Sequence, residues 1–152
     1  MRFMIAMCLI VSSLSVFGNE LVSRKFSFTY FGSDIGSRTY YNCDSAEDIM
    51  RDRLVELGAQ NVRVSCFGGI ENWGGRWNAT PVSLTARFMV PGSRANAQRI
   101  VLKSDRFESN CDFNVQLMNK LLKSLPNARM VSRKSSCRGG RGNWSYTVDA
   151  AL

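Results

Sequence analysis

The pattern C-x-G-G-x-x-N-W occurs twice in this chain, as CFGGIENW at Cys66–Trp73 and as CRGGRGNW at Cys137–Trp144. The similarity extends upstream, because Asn42-Cys43-Asp44 recurs as Asn110-Cys111-Asp112. Two copies are too few for a solenoid, which needs at least about three repeats to bury a continuous core. We therefore predict one internally duplicated domain, with pseudo-repeats at about residues 24–90 and 98–152.

Each copy is predicted to form a strand, a helix and two further strands. In the first copy, apolar residues alternate over 26–30, 62–66 and 82–90 and recur at helical spacing over 46–57. Asp44, with Glu47 as its capping-box partner, and Asp112 are predicted N-caps of the two helices, and Gly58 is expected to end the first. The glycines after Cys66 predict a loop, after which the tryptophan of each octapeptide starts the next strand.

These elements predict an α+β fold in which an antiparallel sheet carries two helices packed on one face. The two βαββ-like copies resemble the ferredoxin-like βαββαβ arrangement with extra strands. That resemblance concerns the order of elements alone, and a fold of this kind does not specify a function.

The N-terminus predicts export. Arg2 precedes an apolar run that ends in small residues before Asn19, which is typical of a secretory signal peptide. We expect residues 1–18 to be removed and residues 19–152 to form a single exported domain, periplasmic or secreted. No later stretch has the length of a transmembrane segment.

Four cysteines remain after this cut, and an even number in an exported chain predicts two disulfides. A helix over 44–57 would span roughly 21 Å at about 1.5 Å per residue, and a strand over 61–66 would return roughly 20 Å. Cys43 should therefore meet Cys66, and by analogy Cys111 should pair with Cys137. The rival symmetric pairing joins Cys43 to Cys111 and Cys66 to Cys137. The cysteines are widely spaced and the chain has no histidine, so we expect no metal site. We expect no cofactor either.

The octapeptide has two interpretations. In the structural one, the glycines permit a tight turn and the tryptophan covers the sheet and the disulfide. In the functional one, the tryptophans form a stacking platform for sugars or bases, with asparagines as hydrogen-bonding partners. The residues of this second interpretation are Trp73, Trp77, Trp144, Asn72 and Asn143.

Charge is concentrated in the second half. Residues 19–90 carry eight basic and eight acidic residues, whereas residues 91–152 carry eleven basic and four acidic ones. A basic cluster near the second octapeptide contains Arg129, Arg133, Lys134, Arg138 and Arg141. Such a surface either keeps the protein soluble or attracts an acidic partner. The candidate partners are an acidic polymer, a glycan or a protein, with nucleic acid less favoured.

Catalysis is not predicted. Without histidine there is no Ser-His or Cys-His pair, and all mature cysteines are expected to be oxidised. We therefore expect a non-enzymatic binding or envelope-interaction protein that contacts an acidic or glycan ligand. The alternatives are a secreted inhibitor or protein-partner module acting through the 73–77 loop, and a hydrolase that uses carboxylates of the first helix.

Overall fold

The computed structural model describes residues 20–31, 41–73, 76–104 and 110–152, without the side chains of residues 71–73 and 76–79. The element order is β1 (Leu21–Tyr30), α1 (Cys43–Glu56), β2 (Gln60–Trp73), β3 (Arg76–Pro91), β4 (Gln98–Lys103), α2 (Cys111–Ser124), β5 (Ala128–Arg138) and β6 (Arg141–Ala150). The α+β class is confirmed. The predicted signal peptide lies outside the described residues, and within them no helix has the length and apolarity to cross a bilayer.

The strands form two antiparallel sheets of three strands each, and the prediction of a single sheet is wrong. The first sheet has the order β1-β3-β2 and the second has the order β4-β6-β5. In both, the last strand of its half lies in the centre and pairs with both neighbours. The halves meet through side chains of α2 and β1 rather than through a shared strand ladder. Both halves have the element order βαββ; duplication and a ferredoxin-like arrangement remain predictions.

The helix starts differ from the prediction. Asn42, not Asp44, is the N-cap of α1, and its Oδ1 accepts a hydrogen bond of 2.8 Å from the Ser45 backbone N–H. The Glu47 carboxylate accepts instead from the Cys66 backbone N–H at 2.7 Å, which ties α1 to β2. In α2 the N-cap is Asn110, not Asp112, and its side chain makes no capping bond. Gly58 follows α1 with φ of +84°, as expected of a residue that ends a helix.

One hydrophobic core joins the two halves. The alternating residues of β3, Val82 to Val90, and the apolar stripe of α1 are buried as predicted. Phe113 of α2 is fully buried and lies against three rings of the first half, those of Phe28, Tyr30 and Tyr41. The helix α2 therefore packs against both sheets.

The disulfide pairing within each copy is confirmed, as Cys43–Cys66 and Cys111–Cys137. Each bond joins the first residue of a helix to the strand that follows it. A buried asparagine adds a link between the halves, because Asn127 Nδ2 donates to the carbonyl oxygens of Leu57 and Ala151 at 2.7 and 2.9 Å.

The two octapeptides have different conformations. In the second copy, Gly139 and Gly140 have positive φ and form the two-residue turn between β5 and β6. In the first copy, Gly68 and Gly69 also have positive φ but lie inside β2 at an irregularity of the ladder. The prediction of a loop after Cys66 is therefore wrong. Trp144 follows the turn as predicted, whereas Trp73 is the last residue of β2.

Candidate functional site

The β5–β6 hairpin positions most of the predicted basic cluster. Side chains alternate between the two faces along each strand. The register between β5 and β6 therefore determines which cations lie next to one another on the same face. Lys134 lies opposite Ser145, and Arg138 lies opposite Arg141 beside the turn. All three cations are exposed and project from the outer face of the second sheet, away from the core. Asn143, also exposed, lies on the same face opposite Ser136.

Arg133 lies on the other side of the sheet. It is opposite the buried Tyr146, and its guanidinium donates to Asn119 Oδ1 of α2 at 3.1 Å. Asn119 Oδ1 also accepts from the Tyr146 hydroxyl at 3.1 Å. The predicted cluster is therefore divided. Arg133 belongs to a polar network beside the helix, and the other four cations, Arg129 among them, lie on the outer face of the second sheet.

Neighbouring strands extend this surface. Lys103 of β4 lies opposite Ser145, so Lys103, Ser145 and Lys134 form a row across the sheet. A second row contains Arg99, Asp149 and Arg129. Among the described residues, the outer face of the second sheet, defined by these rows and the hairpin end, carries six cations and one acid. The cations are Arg99, Lys103, Arg129, Lys134, Arg138 and Arg141.

The one acid on the described part of this face, Asp149, is paired. Arg99 donates to both carboxylate oxygens of Asp149, at 2.8 and 3.2 Å. This hydrogen bonding, with the nearby charges of Arg99 and Arg129, holds the pKa of Asp149 below its ordinary value of 3.8. The ion pairs within 4.0 Å among the described residues involve Arg51, Arg53 and Arg99, and none involves Lys134, Arg138 or Arg141.

The tryptophan candidates do not form one platform in the described structure. Trp144 is 2% exposed, and the guanidinium carbon of Arg53 lies 4.8 Å from the centroid of its ring. Its backbone forms hydrogen bonds with Ser104 in both directions. Trp144 is therefore part of the core and presents no free face for stacking. The side chains of Trp73, Trp77 and Asn72 lie outside the described residues.

A shallow groove on the hairpin brings three of the predicted site residues together. It is lined by Lys134, Ser135, Ser136, Asn143, Trp144 and Ser145. The lining side chains include one ammonium group, three hydroxyls and an amide, which can form hydrogen bonds with an anionic group of a ligand.

Three of the five carboxylates of α1 have structural partners. Asp48 pairs with Arg51 at 2.6 Å and Glu56 pairs with Arg53 at 2.5 Å, while Glu47 binds the β2 backbone. Asp44 is exposed at the first turn of the helix. Within the described residues, no three His, Cys, Asp or Glu side chains converge as they would around a metal ion.

The contact between two buried tyrosines, Tyr30 and Tyr41, was missed by the sequence analysis. The hydroxyls of Tyr30 and Tyr41 are buried, and the centroids of the two rings are 5.4 Å apart. Burial raises the pKa of Tyr30 to about 12, with a further contribution from the charge of Asp112. Burial likewise raises the pKa of Tyr41. Strand periodicity predicted that Tyr30 faces the core, but nothing local predicts its contact with Tyr41.

The outer face of the first sheet was also missed. Lys25 of β1 and Arg63 of β2 both lie opposite Arg87 of the central strand β3. Alternation alone places each cation on the outer side, but their alignment depends on the register between strands.

The chain matches no protein-family model, no curated protein and no solved structure.

Proposed function

We propose that this is an exported, non-enzymatic binding protein that holds an anionic polymer on the outer face of its second sheet. The observation that carries the proposal is the ratio of six cations to one acid among the described residues of that face. Its free cations include Lys134, Arg138 and Arg141, for which the described residues provide no carboxylate within 4.0 Å.

The arrangement of the cations favours a polymer over a small anion. Neighbouring strands are about 4.8 Å apart, and residues on one face repeat about every 6.6 Å along a strand. The cations from the Arg99 row to the hairpin end therefore cover a longer path than one sulfate or phosphate can contact. A polyanion can contact several of them at once and releases condensed counterions when it does so.

The test is binding to immobilised heparin, a sulfated glycan, by the mature chain and by the triple variant Lys134→Ser, Arg138→Ser, Arg141→Ser. We expect the triple variant to elute at markedly lower salt, because charge contacts with a polyanion weaken steeply as salt rises. The matched control is Arg94→Ser, Lys123→Ser, Arg133→Ser. It removes the same charge from exposed positions that do not belong to the outer face of the second sheet.

Equal elution of the two triple variants would show that net charge alone causes retention and would contradict the proposal. Retention that does not change with salt would contradict it as well. Circular dichroism of each variant shows whether the fold is kept, so that a loss of binding is not confused with a loss of structure.

A further inference from the structure

We infer that the outer face of the first sheet is a second, separate binding surface, for an acidic polysaccharide. It uses residues of β1, β2 and β3 and does not depend on the site in the second sheet. Its centre is the cationic row, defined as Lys25, Arg87 and Arg63, which lie side by side across the three strands.

The cationic row is a costly arrangement for a sheet. Like charges directly opposite one another on neighbouring strands destabilise the pair, and Arg87 has one on each side. All three side chains are exposed, and no ion pair within 4.0 Å among the described residues includes any of them. The second sheet has an acid, Asp149, between two arginines in the comparable row. An anionic ligand would neutralise the first row as Asp149 neutralises the second.

Hydroxyl groups lie next to the cationic row. One step along the sheet, Ser27, Thr85 and Ser65 are opposite one another. One step further, Thr29 and Ser83 follow, with their hydroxyl oxygens 3.2 Å apart. Hydroxyls both donate and accept hydrogen bonds, so these two rows suit the hydroxyl groups of a sugar chain.

An aromatic ring completes the surface. Phe67 lies opposite Ser83 and is 82% exposed, the largest exposed fraction of the described apolar side chains. An exposed ring beside hydroxyls offers the apolar face of a sugar a stacking partner. Single-stranded nucleic acid usually needs several aromatic rings among the cations, so that successive bases can stack. Among the described side chains of β1, β2 and β3, Phe67 is the one exposed ring on this face, and Phe31, just beyond β1, is 73% exposed. Five hydroxyl side chains lie beside the cationic row, and these hydroxyls favour a polysaccharide over a nucleic acid.

The experiment measures binding of a short heparin oligosaccharide in the background Lys134→Ser, Arg138→Ser, Arg141→Ser, which isolates the first sheet from the proposed site in the second. Arg87→Asp gives this row an acid between two cations, as in the second sheet. We expect about a tenfold or larger loss of affinity together with an unchanged or higher melting temperature, because the substitution removes repulsion within the row. A loss of binding caused by misfolding would lower the melting temperature instead.

Arg94→Asp is the matched control, since it makes the same change in net charge at an exposed loop position. It should change the affinity less than about twofold, because exposed charges farther apart than a Debye length are screened. Phe67→Ala should weaken binding by about fivefold, the lower range for one aromatic stacking contact. Its salt dependence should stay the same, because no charge is lost.

Equal effects of Arg87→Asp and Arg94→Asp would overturn the inference. Tighter binding of a single-stranded oligonucleotide than of the heparin oligosaccharide, with loss on Arg87→Asp, would overturn the assignment to a polysaccharide. Because these measurements use a background without the hairpin cations, their failure is distinguishable from failure of the proposed function.

Discussion

The two halves of the molecule share an order of elements and a disulfide position, yet they use the same octapeptide differently. In the first half Gly68 and Gly69 lie within β2, whereas in the second half Gly139 and Gly140 form the hairpin turn. The first half has another glycine pair at residues 74–75, between the end of β2 and the start of β3. β2 continues beyond the octapeptide's glycines to Trp73, so similar sequence does not impose similar structure here.

The two helices also differ, although they occupy matching places in the two halves. α1 buries three residues, Ala46, Met50 and Leu54, whereas α2 buries seven. The third residue after the N-cap is the exposed Ser45 in α1 and the fully buried Phe113 in α2. The second helix therefore contributes most of the contact between the halves, and the first helix serves mainly its own sheet.

The largest expected effect comes from replacing this inter-half contact. Phe113→Ala should lower the free energy of unfolding by about 3–5 kcal/mol, because it leaves a cavity among three aromatic rings. Urea denaturation followed by circular dichroism measures the loss. Ser45→Ala, at the matching position of α1, should change stability by less than about 0.5 kcal/mol. Similar losses in the two variants would contradict the asymmetry between the helices.

The two disulfides allow a closer comparison. Their sequence separations are 23 and 26 residues, so loop entropy predicts a similar loss of about 3 kcal/mol when either pair is replaced by alanine. The Cys111–Cys137 variant should be the less stable of the two, because Cys111 is fully buried and Cys43 is not. Urea denaturation of the two double variants gives the difference. A larger loss for the Cys43–Cys66 variant would indicate that the first half is the better packed unit.

Periodicity predicted much of this fold. The apolar alternation of β1 and β3 and the helical stripe of α1 gave the element types and the buried faces, and strand and helix lengths gave the correct disulfides. Local sequence could not give the partners of distant strands, so one sheet was predicted where two exist. The caps were misplaced because each helix start has an Asn and an Asp two positions apart. Both residue types can cap a helix, and the backbone geometry decides between them.

The candidate site was only partly predictable. Composition located the basic cluster, but the register of β5 with β6 separates Arg133 from Lys134. Tryptophan is a residue type common in binding sites, but Trp144 occupies a position of β6 whose side chain faces the core. Because β6 is the central strand of its sheet, this position is buried. The cationic row of the first sheet joins residues from three distant segments, so no single window of sequence reveals it.

The smallest expected effect concerns the acid that distinguishes the two charged rows. The pKa of Asp149 is below its ordinary value of 3.8 in the folded protein because of the hydrogen bonds from Arg99. A lowered folded pKa means that Asp149 stabilises the fold above about pH 4 and that this stabilisation is lost as pH falls through the folded pKa. Asp149→Asn should therefore lower the melting temperature at neutral pH, and the gap from the natural chain should close in acid.

The control for this pH dependence is the other row. Arg87→Gln removes a charge that does not titrate in acid, from a row that contains no carboxylate. Its difference from the natural chain should therefore keep its sign between neutral pH and about pH 3. Melting curves at several pH values measure both variants. The difference in melting temperature between Asp149→Asn and the natural chain could instead stay constant into acid. That result would show that Arg99 does not depress the pKa of Asp149, and that the charge of Asp149 does not make the second row more stable than the first.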